Sequence, residues 1–67
     1  MQQEQAVVLA RLIEMLPHDY RQVVMLRHLQ HLSFPDIAKQ MDRSVDSVKK
    51  LWARALIRMR QLQEGQS

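Results

Sequence analysis

Cysteine is absent from the 67-residue chain, so it can form no disulfide and no thiolate metal site, and it lacks the staples on which very small secreted domains depend. A reducing, cytoplasmic setting is the expectation. Long apolar runs are missing as well: the longest, such as Ala6 to Ala10, fall far short of the roughly 20 residues that span a bilayer, and the start has no basic segment followed by an apolar core. These features read as a protein that neither crosses a membrane nor carries a signal peptide. Glycine occurs once and proline twice, and neither falls between Asp36 and Glu64. No strand-like alternation, repeat or low-complexity tract is present. A chain this short buries only about 60 % of the surface its unfolded form exposes, which leaves no room for a deep catalytic cavity.

Acidic residues are scarce in the last third. From Met1 to Asp42 four basic residues face five acidic ones, whereas from Arg43 to Ser67 six basic residues face only Asp46 and Glu64. This local field, within a net charge of +3, suits phosphate backbones or an anionic surface. No nucleophile, base and orienting group share a sensible spacing, so no enzyme activity is expected. His28 and His31 stand three apart, but without cysteine or a nearby carboxylate they read as surface histidines, and neither metal nor cofactor is expected.

What is present is four amphipathic stretches, read as helices over residues 4–16, 18–30, 34–41 and 45–63 of a single domain, residues 1–67. The first carries Val8, Leu9, Leu12 and Leu16 and stops at Pro17, because the residue before a proline avoids the helical region. The second presents Tyr20, Val23, Val24, Leu26 and Leu29. The third has the clearest start: Ser33 caps, Pro35 occupies the first turn, and Asp36 completes a variant of the capping box. Gly65 is the expected terminator of the fourth, with a fraying polar tail from Gln63 to Ser67.

The segment MDRSVDSVKK, Met41 to Lys50, decides the architecture. Apolar residues keep a heptad phase across it, as one long coiled-coil helix would. Yet Asp42, Ser44, Val45, Asp46 and Ser47 are mediocre helix formers, and a continuous helix would give up about 3 kcal/mol there. In a broken arrangement Ser44 caps the next helix, worth about 1 kcal/mol, Asp46 supplies a first-turn charge, and Asp42 tolerates a left-handed backbone. The reading is therefore two helices joined by a short turn, a helix-turn-helix over 34–60 within a compact all-α domain of four helices, or five.

On the last helix Val45, Val48, Trp52, Ala55, Leu56, Met59 and Leu62 fall in one sector that must face the core. Opposite lie Ser47, Lys50, Arg54 and Arg58. Ser47 and Lys50 are candidates for base contacts in a major groove and Arg54 for the groove wall. Arg43 and Lys49 suit phosphates, assisted by the helix dipole beside Ser44. Arg58 and Arg60 lie too far along for the same groove turn. Asp46 reads as a first-turn charge, with acceptance from a cytosine amine as the other option.

The stretch LPHDYRQVVMLRHLQHLSFPDIAKQMDRSVDSVKKLWARALIRMR, Leu16 to Arg60, resembles region 4 of bacterial sigma-70-type initiation factors, most closely the extracytoplasmic-function group. Their pattern runs roughly LPxxYRxVxxLRxxxGLSxxEIAxxxGxSxGxVKxxLxRAxxxLR. The resemblance implies a four- or five-helix domain that reads the −35 element of double-stranded promoter DNA while another surface holds the β flap of the RNA polymerase core, with an anti-sigma protein as a further partner. It implies groove contacts at Ser44, Ser47, Lys49, Lys50 and Arg54. His31, Asp42 and Asp46 stand where relatives commonly have glycine, and Asp36 replaces a glutamate. Sigma factors also need a region that melts DNA, which 67 residues do not supply, so the chain looks like an excised C-terminal domain or a stand-alone relative. The isolated domain is expected to be a monomer. The alternatives are a stand-alone helix-turn-helix regulator, since response regulators share the SxxxIA half of the pattern, and a helical module that binds polymerase or an anti-sigma protein without reading DNA.

Overall fold

Two prolines and two serines place the helix starts. The computed structural model describes residues 2–66, with side chains from 7 to 65, and its helices are α1 (Gln2–Glu14), α2 (His18–Val24), α3 (Phe34–Met41) and α4 (Val45–Gln66). Among the described residues there is no strand. α1 closes at Glu14, two residues before the expected Leu16, because Pro17 holds its predecessor out of the helical region. Leu16 instead donates to the Ile13 carbonyl at 3.1 Å, a tightened last turn. Pro17 then sits extended at the start of α2 (φ −53°, ψ 155°), and its carbonyl accepts from the Arg21 N–H at 2.9 Å.

α2 passes without a break into a π-helical turn, Met25–Leu29, where the residue pattern predicts ordinary helix. A π turn bonds five residues apart, so it takes in an extra residue and rotates the next side chains out of phase with the preceding helix. Leu29, expected on the buried face, consequently stands 54 % exposed, while Leu26 just before it is buried. The turn ends at His31, whose φ of 57° is left-handed, and the Leu32 N–H reaches back to the Leu26 carbonyl at 3.1 Å. Arg27 fastens this end of the helix to the next one. Its Nη1 donates to the Leu32 carbonyl at 2.9 Å, and its guanidinium carbon lies 4.5 Å from the centre of the Phe34 ring.

The break between α3 and α4 is built as the cap chemistry requires. Ser33 Oγ accepts from the Asp36 N–H at 3.2 Å with Pro35 in the first turn of α3, and Ser44 Oγ accepts from the Ser47 N–H at 3.1 Å at the start of α4. α3 ends at Asp42 (φ 55°, ψ 50°). The Arg43 N–H donates to the Ala38 carbonyl at 2.9 Å and the Asp42 N–H to that of Lys39 at 3.4 Å, the paired bonds of a Schellman ending. The left-handed residue turns the chain sharply, and the helix-turn-helix is formed.

Both units rest on one core. Leu12, Ile13 and Leu16 of the first segment meet Val23, Val24 and Leu26 of the second, Ile37 and Ala38 of α3, and Val48, Leu51 and Ala55 of α4. Ile37, Val23 and Val48 are fully buried. Trp52 borders this core, its ring edge-on to Phe34 with centroids 6.4 Å apart. The α4 sector is rotated slightly from expectation: Leu51 is buried and Leu56 exposed, because the start of α2 packs over the Leu51 side. Val8 likewise stands exposed on α1.

Gly65 does not end α4, which runs through it to Gln66. A glycine ends a helix by taking a left-handed backbone, and Gly65 has no positive φ. Ser67, the last residue of the tail expected to fray, lies outside the described residues. At about 1.5 Å per residue the 22 residues of α4 account for nearly all of the 35 Å long axis.

Candidate nucleic-acid interface

α4 presents its polar residues in an order fixed by its N-cap. With Ser44 as cap, Asp46 falls in the first turn beside the positive end of the helix dipole, and Ser47 is the residue whose N–H the cap satisfies. Helical spacing then carries Lys50 and Arg54 along the face that Ser47 begins. Lys49, Lys50 and Arg54 are all exposed, and Ser47 is half-buried at the foot of the row. From Ser47 to Arg54 the row rises about 10 Å, comparable with the roughly 12 Å width of a major groove.

The structure brings Arg43, Ser44 and Ser47 together. Arg43 leaves the left-handed turn and crosses toward α2, where its Nη2 donates to Asp19 Oδ2 at 2.7 Å, and its Nη1 donates to Ser47 Oγ at 3.3 Å. Arg43 is thus not a free cation; its fork is shared between a carboxylate and a hydroxyl. Lys50 is also paired, with its Nζ 3.2 Å from Asp46 Oδ2 one turn earlier. That contact adds a partner to the first-turn role expected of Asp46. Lys49 and Arg54 have no acidic partner among the described residues.

Two residues of the basic run are placed elsewhere. Arg58 borders a shallow groove with Pro17, His18, Tyr20 and Leu51, against the start of α2. Arg60 contacts Glu64 at 3.4 Å, one turn further on. Measured from the Ser44 cap, Arg58 is about 21 Å along the helix, beyond one groove width. The residue that sequence reasoning missed is Asp19, which it placed only in the first turn of α2. No local signal links it to Arg43, 24 positions later; the contact exists because α2 and α4 pack together.

The arrangement offers hydrogen-bond donors and positive charge on an exposed helix end, tempered by the carboxylates of Asp46 and Asp19. Among the described residues no three histidines or carboxylates are grouped as metal ligands, no polar side-chain atom is buried without a partner, and no helix is long and apolar enough to cross a membrane. A protruding helix of this kind, held by a capped turn to a preceding helix, is what a major groove admits.

Comparison with known proteins gives the same assignment. The family model for sigma-70, region 4, matches residues 6–59, which takes in most of α1, all of α2 and α3, and most of α4. No curated protein and no solved structure matches the chain. On the family match, covering well over half its length, the chain belongs to the sigma-70 region 4 family, the DNA-binding domains of sigma factors.

Proposed function

We propose that this domain reads the −35 element of promoters for an RNA polymerase sigma factor of the extracytoplasmic-function type, with the N-terminal half of α4 in the major groove. The observation that carries the reading is the row of half-buried Ser47 and exposed Lys50 and Arg54 at the capped end of α4. Ser47 and Lys50 take base edges, Arg54 the groove wall, and Lys49 the phosphates, with the Ser44 end of the helix aimed at the backbone. Arg43 serves the groove from the side, through Ser47 and whichever guanidinium donors remain.

Docking on RNA polymerase belongs to a different surface. Met25 and Leu29 stand exposed on the π turn, beside a groove that His18, Arg21, Gln22 and Gln30 complete, and none of these belongs to the α4 row. An apolar patch with a polar rim suits a protein partner. The test is selection from a randomised duplex pool by the purified chain. A short enriched motif whose binding weakens steeply with salt supports the reading. Binding without sequence preference, or without salt dependence, contradicts it.

A further inference from the structure

Asp19 stands outside the helix-turn-helix, yet it is bonded to a residue at the foot of α4. Its carboxylate holds one arm of the Arg43 guanidinium at 2.7 Å, and the other arm reaches Ser47 Oγ at 3.3 Å. A guanidinium is a rigid planar fork that only donates, so fixing one nitrogen aims the other. Its bond to Ser47 therefore occupies a lone pair of the hydroxyl. Among the described residues the hydroxyl hydrogen of Ser47 has no acceptor, so it is available to an acceptor outside the chain.

This matters for readout because a serine by itself is ambiguous. A free hydroxyl pairs equally well with a base acceptor or a base amine, and so discriminates poorly. A hydroxyl already accepting from an arginine pairs best as a donor. We infer that Asp19 and Arg43 are positioning residues that set the polarity of Ser47, so that the base edge beneath it is read as an acceptor: guanine N7 or O6, or thymine O4, against the amine of cytosine. The inference rests on the proposed placement of α4 in the major groove. Asp19 has a second effect, since it holds Arg43 away from phosphates, which are stronger acceptors than a hydroxyl. The pair exchanges affinity for discrimination.

The experiment is duplex selection followed by fluorescence titration of the selected duplex and its single-base variants, with the intact chain. Wild type enriches guanine or thymine over cytosine at one position, and Ser47→Ala loses the preference there, by roughly five- to tenfold. Asp19→Ala loses the same preference while binding mixed-sequence duplex more tightly, with a log affinity against log salt slope steeper by about one as Arg43 turns to phosphate. Arg43→Lys keeps the charge and the ion pair but not the fork, and loses the preference without the gain. In the Ser47→Ala background, Asp19→Ala changes the base preference no further. Circular dichroism of each variant confirms the helices, and Asp19→Asn repeats the test if the alanine variant unfolds. Retention of the wild-type preference by Asp19→Ala or Arg43→Lys, where Ser47→Ala loses it, overturns the inference. Failure of the wild type to enrich any motif overturns the groove placement itself, and the inference with it.

Discussion

The ammonium of Lys50 lies 3.2 Å from the carboxylate of Asp46, one turn earlier on α4, with both side chains more than two-thirds exposed. Exposed pairs of this spacing contribute a few tenths of a kcal/mol to a helix, so the contact is weak as a brace. Its consequence is electrostatic: an acidic group stands at the end of α4 proposed to meet phosphates, next to the cation proposed to meet a base. Asp46→Asn should therefore bind duplex DNA severalfold more tightly at low salt, with the gain fading as salt rises. The same change should cost about 0.5 to 1 kcal/mol of stability through the lost first-turn charge. Fluorescence anisotropy and thermal melts read the two effects separately. Weaker binding with an altered base preference would instead make Asp46 an acceptor for a cytosine amine.

His31 and Asp42 both hold left-handed backbones, with φ of 57° and 55°. For a residue with a side chain this region costs roughly 1 to 2 kcal/mol, whereas glycine enters it freely but loses roughly 0.4 to 1 kcal/mol through the entropy of the unfolded chain. Asp42→Gly and His31→Gly should each stabilise the domain by about 0.5 kcal/mol. The melting temperature should rise by about 2 to 4 °C apiece, and the two gains should add because the turns are separate. Asp42→Val should lower it, a β-branched residue being a poor fit at positive φ.

Where side chains act on their own backbone, the sequence was readable. Ser33, Pro35 and Asp36 marked the start of α3, and the weak helix formers from Asp42 to Ser47 outweighed an unbroken heptad phase, so the turn at Asp42 could be anticipated. The row Ser47, Lys50 and Arg54 came from helical spacing alone. The π turn at Met25–Leu29 was invisible, because no local residue pattern marks it, and Leu29 was misassigned to the buried face as a result. Leu51 and Leu56 exchanged places because the start of α2 covers one flank of α4, which a single-helix projection cannot know. Asp19 escaped for the same reason: its tie to Arg43 joins elements 24 residues apart.

Ile37 is fully buried where α3, α4 and the second helix meet. Truncation to alanine removes its packing and leaves a cavity, at a cost of about 2 to 5 kcal/mol. A chain of 67 residues has only about 3 to 10 kcal/mol of stability to lose. Ile37→Ala should thus lose a large share of that stability, read as a lower urea midpoint by circular dichroism. The exposed Ile57, by contrast, should tolerate alanine within about 0.5 kcal/mol.

Leu29 and Met25 are exposed, so the two proposed binding surfaces can be separated. Leu29→Asp with Met25→Ser should leave duplex affinity and melting temperature near wild type while weakening capture by RNA polymerase core by tenfold or more, the loss typical of a central apolar contact. A pull-down against core enzyme, run beside a duplex titration, measures both. Equal loss of DNA binding would show that the patch supports the fold or the groove face instead.

Entry of the N-terminal half of α4 into the major groove is tested by salt-dependent titration of the Lys50→Ala, Arg54→Ala double variant against a selected duplex. Both side chains are exposed, so the helix content should match wild type. The account predicts affinity lower by about a hundredfold and a log affinity against log salt slope shallower by up to about two, in proportion to the phosphate contacts removed. A folded double variant that binds the duplex with wild-type affinity and wild-type slope would contradict it.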